Sequence, residues 1–326
     1  MLWASTNHYN PCSKAQTWNC RKLQFYLLKT ITRFLIRSCL DTRKYLHPET
    51  SEWRTRDPRC EWKYYRGKMA CDVIERSEFK HIHFVGDSFV RNMFVTLLML
   101  LSDDTEREAW SQNMREDRMV YCRHERYVLN HECRDIIRDI RQLRYSEKLC
   151  DGHQPNFTVS AKISYSWKAG DDFINATRDL AGKPRNLVLL GMGIHMGLKA
   201  DCVISQIIEP GLQARDKFYV NKTLSTSSKW PQIIYVIAMR SGILKPITHL
   251  VRQDDQKLWY FADKVSTYWK ENDIPVLDFR SLTANVHSFD GSHYDIGVNL
   301  IKSDFSELSI IVTKFLIHSI LIWQNT

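Results

Sequence analysis

Four short runs of the chain are apolar at nearly every position: HIHFVG at 81–86, NLVLLG at 186–191, IIYVIAM at 233–239 and IPVLDF at 274–279. A strand with one wet face alternates apolar and polar residues, so runs without alternation predict strands covered on both faces. Such strands need helices above and below them. The intervening segments supply these: in DDQKLWYFADKVSTYWKEN, Leu258, Phe261, Ala262, Val265 and Trp269 recur at helical spacing and mark one buried face. Strands alternating with helices predict an α/β fold, a three-layer α/β/α sandwich on a mainly parallel central sheet. The stretch LIKSDFSELSIIVTKFLIHSILI reads as the last helix. Lys302, Asp304, Glu307, Lys314 and His318 interrupt it, which favours a helix docked on the domain over a tail anchor.

Residues 1–50 read as a separate N-terminal segment, amphipathic and basic, and residues 51–326 as the main domain, entered through the Trp-rich run at 53–71. Within the first segment, KLQFYLLKTITRFLIRSC has the length of a membrane span. Lys29, Arg33 and Arg37 recur every four residues, however, and form one charged stripe on a helix. A surface helix packed on its own domain is favoured over a peripheral membrane contact. No apolar leader with a cleavage site is visible. The polar block at 103–150 reads as helices and loops inserted after the first strand–helix unit.

The net charge of +9 draws anionic partners without distinguishing among them. Its basic residues are interspersed with carboxylates, as in EREAWSQNMREDR, and no zinc-finger or RNP pattern occurs, so nucleic acid is not expected as a partner. Nine cysteines stand at 12, 20, 39, 60, 71, 122, 133, 150 and 202 with no C-x-x-C. Cys60 with Cys71 and Cys122 with Cys133 share one separation, which suits local disulfides in an oxidising compartment; reduced, buried thiols fit the sequence equally well. The sequons at Asn156, Asn175 and Asn221 lean toward a secretory-pathway lumen or secretion. His124 and His131 lie close to Cys122 and Cys133, but the spacings match no zinc module, so solvated loop histidines are expected and no metal site.

Ser88 follows the first apolar run directly and precedes FVRNMFVTLLMLL, whose spacing suits a helix. Its hydroxyl is therefore expected at a strand's carboxyl end and a helix N-terminus, where α/β sheets bind ligands and free N–H groups stabilise negative charge. A serine nucleophile needs a base to take its proton and a carboxylate to orient that base. FDGSHYDIGVNLI offers both, Asp290 and His293, in a turn after the last strand, with a glycine between them to allow the bend. Alone the pair reads as an Asp-Gly turn with a surface histidine. Beside the strand–Gly-Asp-Ser–helix unit it reads as the rest of a relay.

This combination of G-D-S after the first strand and D-x-x-H before the last helix resembles the SGNH (GDSL-type) hydrolase superfamily. The longer matches GDSFVRN, CEW…C and DGSHY…GVN are similar to its PC-esterase branch, which holds trichome-birefringence-like polysaccharide O-acetyltransferases and the lumenal domain of sialic-acid O-acetyltransferases. The resemblance implies an SGNH-like sandwich with Ser88 as nucleophile, His293 as general base and acid, and Asp290 as its orienting partner. It implies an oxyanion and substrate-binding set of Asp87, Arg91, Gly193 and His195 beside the Ser88 backbone N–H. His195, in LLGMGIHMG, stands where most of the superfamily has asparagine, so an imidazole N–H replaces an amide donor. Asp87 is expected to organise the turn through backbone N–H groups, and Asn92 to face solvent. The implied activity is acyl transfer, acetyl before others, by ester hydrolysis or O-acetylation of a glycan through an acyl-serine. No tightly bound cofactor is implied; a transferase would draw on an acyl donor such as acetyl-CoA, in a Golgi-like lumen. Two other readings stay open: a non-catalytic glycan-binding protein that keeps the fold, and a lipid or small-ester esterase.

Overall fold

Among the four apolar runs, the first becomes β1 (His81–Gly86), which follows α1 (Lys68–Arg76) and passes directly into α2 (Ser88–Ser102). Next come β2 (Thr158–Ile163), α3 (Lys168–Leu180), β3 (Asn186–Gly191), β4 (Gln232–Val236), α4 (Asp255–Glu271) and β5 (Val276–Leu277). The structure, a computed structural model, describes residues 25–28, 52–55 and 65–303, apart from 78, 105–108, 123–132, 134–136, 221–228, 241–244, 281–282, 284–287, 289, 295–296 and 301.

All five strands are parallel, in the order β2-β1-β3-β4-β5. Because successive side chains of a strand point to opposite faces, the apolar runs feed two separate cores. Ile82, Phe84, Leu187, Leu189, Ile234 and Val236 pack under α1 and α2, against Ile74, Met93, Phe94 and Leu97. Val85, Val188, Leu190, Ile233 and Tyr235 pack on the other face, against Phe173 of α3 and Phe261, Val265 and Trp269 of α4. The expected three-layer α/β/α arrangement is therefore present, with the helical face of α4 buried as its spacing predicts.

Three features depart from the sequence reading. The strand TVSAKI (β2) is not one of the apolar runs, because it ends the sheet and leaves alternate side chains partly exposed. Phe25–Leu28, expected in a helix, instead pairs antiparallel with Glu52–Thr55. Phe25 and Tyr26 favour extended backbone, and the partner strand takes up the N–H and C=O groups of alternate residues along the pair. The remainder of residues 1–50, including the Lys29 stripe, lies outside the described residues, as does most of the expected last helix, which is helical at 297–300 and 302–303. Cys71 bonds Cys150 rather than Cys60. Cys71 sits on the buried face of α1, which packs on the short turn Ser146–Gly152, bringing the two Cα atoms to 5.6 Å. The expected Cys122–Cys133 bond is present, so neither sulfur is available to a metal. Cys202 is the free cysteine among the described residues, and no helix among them is long and apolar enough to cross a membrane.

Candidate active site

The chain leaves β1 for β2 on one side and then crosses back to β3 on the other, so the loops at the carboxyl ends of β1 and β3 diverge and leave a crevice between them. Ser88 lies at that point. The approach of the strands there is close: a Cβ on Gly86, whose φ is 151°, would lie 1.9 Å from the Gly191 carbonyl oxygen. Only glycine fits, and it lets α2 start immediately beside β3. Asp87 is the N-cap of α2, its carboxylate accepting from Phe89 N at 3.1 Å. Ser88 is the first residue of the helix, and its N–H has no acceptor within the helix.

Asp290 and His293 arrive from the far end of the chain. Asp290 Oδ1 accepts from Ser292 N at 2.8 Å and His293 N at 2.7 Å, which fixes the turn, while Oδ2 lies 2.6 Å from His293 Nδ1. Gly291, φ 73°, makes this turn possible, since a Cβ there would strike the Lys245 backbone at 2.0 Å. An ionised carboxylate accepts only, so Nδ1 carries the proton and donates, leaving Nε2 as the acceptor. Ser88 Oγ lies 2.7 Å from Nε2 and donates to it. The Phe89 ring packs on the imidazole at 5.4 Å between centroids. Ser88 is 2% exposed, so the relay is recessed.

Two further contacts hold His293 in register with α2. Asn299 Nδ2 donates to Tyr294 O at 2.7 Å, and Thr96 Oγ1 and Ser303 Oγ share a bond of 2.8 Å, joining the 297–303 helix to the side of α2. Tyr294, fully buried, donates from its hydroxyl to Arg240 O at 3.2 Å.

Charge is buried densely around this relay. Burial pushes Asp290 up, but the hydrogen bond and charge of His293 and the two backbone N–H groups outweigh it and hold the carboxyl at about 2. Burial pushes Asp87 up to about 7 against the Phe89 N–H and the attraction of Lys302 and Arg91. Burial likewise lowers Lys302 to about 7 against the pull of Asp87. Lys245 is 4% exposed, its Nζ has no hydrogen-bond partner among the described residues, and burial lowers it to about 8 against Asp290 and Asp255.

The structure thus brings together Ser88, His293 and Asp290. It places the other candidates differently. Asp87 is a buried cap, as its expected turn role requires. Arg91 is buried with its Nε and Nη2 on Asn92 Oδ1 at 3.2 and 2.7 Å. Asn92, read as facing solvent, is buried because it lies on the side of α2 that packs into the domain. Gly193 is buried and turns the chain after β3, its carbonyl accepting from Met196 N at 3.0 Å; Met192 O accepts from the buried Tyr235 hydroxyl at 3.0 Å. His195 is exposed and meets the Tyr165 ring edge to face at 5.1 Å. Asn156 is exposed and accepts from Lys80 Nζ, whereas Asn175 lies inside α3 with its sequon's Thr177 fully buried; Asn221 is outside the described residues, as are His124 and His131. Lys245 escaped the sequence reading, Lys302 entered it only as a charge interrupting the last helix and Asn299 only as the end of the GVN match; no local signal marks their burial, which comes from elements distant in the chain.

No family model and no curated protein matches the chain. Among solved structures it is similar to an aryl esterase of M. smegmatis, at 13% identity over 73% of this chain and 98% of the other, TM-score 0.35. A lipolytic G-D-S-L family member from Veillonella parvula is similar at 12% identity over 70% and 97%, TM-score 0.35. A carbohydrate acetylesterase from Sinorhizobium meliloti is similar at 9% identity over 72% and 99%, TM-score 0.37.

Proposed function

We propose that this chain is a serine-dependent acyl-transfer enzyme of the SGNH type and PC-esterase kind, moving a small acyl group, acetyl before others, from or onto a glycan hydroxyl. The observation that carries the reading is the Ser88–His293–Asp290 relay at the N-terminus of α2, with donor–acceptor separations of 2.7 and 2.6 Å. His293 Nε2 takes the Ser88 proton as Oγ bonds the ester carbonyl carbon. The oxyanion that forms faces the Ser88 N–H at the positive end of the helix, beside the Gly193 loop. Collapse breaks the ester C–O bond, and His293 returns its proton to the departing alkoxide. An acyl-Ser88 remains. Water, or a sugar hydroxyl, then gives its proton to His293 as it attacks, and Ser88 regains its proton on release.

The 2% exposure of Ser88 supports a small acyl group, because little room is left around its hydroxyl for a bulky one. Two disulfides among the described residues and the exposed Asn156 support a lumenal or secreted setting. A transferase of this kind draws its acyl group from a thioester or ester donor such as acetyl-CoA, with no tightly bound cofactor.

A fluorophosphonate probe is expected to label the wild type and not Ser88→Ala. Absence of labelling on well-folded wild type overturns the nucleophile assignment. Among p-nitrophenyl esters of rising chain length, kcat/KM is expected to peak at acetate; a peak at long chains removes the acetyl assignment in favour of a lipid esterase. Added sugar acceptor that diverts the acetyl group from water identifies a transferase.

A further inference from the structure

We infer that Tyr165 and Trp167 form the platform on which a pyranose ring of the substrate stacks while its acyl ester reaches Ser88. The inference deepens the reading of Ser88 given above and rests on it for the chemistry, but not for the binding.

Strand order places the platform. β1 lies between β2 and β3, so the loop leaving β2 and the loop leaving β3 flank the end of β1 that carries Ser88. Ser164 N donates to Gly86 O at 2.9 Å, which sets Tyr165 level with Asp87 and Ser88. From the other side comes His195, and its edge-to-face contact with Tyr165 at 5.1 Å spans the carboxyl end of β1. The two rings therefore form one wall of the crevice above the recessed serine.

The wall is rigid at its base and open above. Ser164 Oγ donates to the buried Asp172 in the first turns of α3, and Lys162 pairs with the same carboxylate at 3.0 Å. Ser166, between the two aromatic residues, adopts a left-handed φ of 60°, a conformation that side chains other than glycine adopt only at a cost. Tyr165 and Trp167 are each 39% exposed.

Among the described residues, the other exposed aromatic side chains carry a partner or lie on other elements, Tyr121 at the end of the short helix Glu116–Tyr121. Trp259 carries the Arg280 guanidinium 3.9 Å above its ring, and Tyr260 carries Lys264 at 5.8 Å. Phe218 packs on Tyr219 and over Gly182, toward the opposite end of the sheet. Among the described residues, no ring or cation covers either face of Trp167. A pyranose has an apolar C–H face that suits the exposed part of the indole and hydroxyls at its rim that suit the Tyr165 hydroxyl, so both requirements meet at the loop beside Ser88.

The test uses two acetate esters, methyl 6-O-acetyl-α-D-glucopyranoside and ethyl acetate, which differ in the ring. With the full chain, Trp167→Ala and Tyr165→Ala are expected to raise KM for the pyranoside about three- to tenfold, the range of one aromatic stacking contact. Turnover of ethyl acetate is expected to stay within about twofold, and Trp167→Phe is expected to restore the pyranoside KM. Equal losses on both esters, or no change on either, overturn the platform. Binding is read separately on Ser88→Ala protein by saturation-transfer NMR with the same pyranoside. Saturable contact that Trp167→Ala abolishes supports the platform even where wild type turns over neither ester, a result that would sink the Ser88 reading alone. Lack of contact in that experiment overturns the platform. So does binding to phosphatidylcholine vesicles that Trp167→Ala abolishes while pyranoside contact persists, because the aromatic face then serves lipid.

Discussion

The Asp290 carboxylate accepts three hydrogen bonds, two from backbone N–H groups and one from His293 Nδ1, so its position is fixed before a substrate arrives. In Asp290→Asn the amide oxygen can keep the backbone donors, but the amide nitrogen then faces Nδ1 and donates to it. The imidazole proton moves to Nε2, which can no longer accept from Ser88. We expect kcat to fall about 10⁴-fold because the tautomer is lost, and the melting temperature to drop by a few degrees because the charge-assisted bonds that hold the carboxyl at about 2 are weakened. A loss under tenfold in steady-state assays would place Asp290 outside the relay. Since the carboxyl is held at about 2, it stays ionised at working pH, and an acid limb above pH 4 in the rate profile belongs to another group. Ser88, Asp290 and His293 were legible because each stands in a short local pattern at an element boundary. Lys245 and Lys302 were not, since a lysine in sequence reads as solvent-facing until distant elements close over it. Asn92 misled for the same reason: α2 buries nearly its whole circumference.

Among the elements, α1 and the short turn Ser146–Gly152 are joined covalently by Cys71–Cys150, at a sequence separation of 79, whereas Cys122–Cys133 closes a loop of separation 11. In a chain-entropy account the longer closure removes more freedom from the unfolded chain, about 4–5 kcal/mol against about 3 kcal/mol. Urea unfolding of the two double Cys→Ala variants is expected to rank them in that order. The reverse ranking would mean that strain or residual structure, rather than loop length, sets the contribution. The equal spacing of the Cys60–Cys71 and Cys122–Cys133 pairs led to one right pairing and one wrong one because spacing reports loop length, not which buried faces meet. β3 and β4 were readable as apolar runs because each is buried along its whole length, and β1 because its second half is, His81 and His83 marking its partly exposed start. β2 mixes Ser160 and Lys162 into its pattern because it ends the sheet, and that dilution hid a strand whose following loop supplies Tyr165 and Trp167.

At the scale of the whole molecule, alternating strands and helices announced a parallel sheet but not the order β2-β1-β3-β4-β5, because right-handed crossovers permit several orders with the same local pattern. That order is what gathers buried charge behind the site: Lys302 under the start of α2 and Lys245 behind Asp290. Both lysines are lowered by burial, to about 7 and about 8, below the ordinary 10.5 of an unfolded chain. Between pH 8 and 9.5 the unfolded chain therefore binds more protons than the folded one, and stability rises with pH. Each lysine contributes a slope of up to about 1.4 kcal/mol per pH unit in this window. Burial raises Tyr235, which reverses the sign only above its ordinary value of 10, outside the window. Urea unfolding at several pH values is expected to give a positive slope for wild type, a smaller one for Lys302→Met and for Lys245→Met, and a nearly flat line for the double variant. Wild type that is equally stable at pH 8 and 9.5 would mean that both lysines stay charged in the fold, held by Asp87 and Asp290 as full ion pairs rather than as desolvated amines.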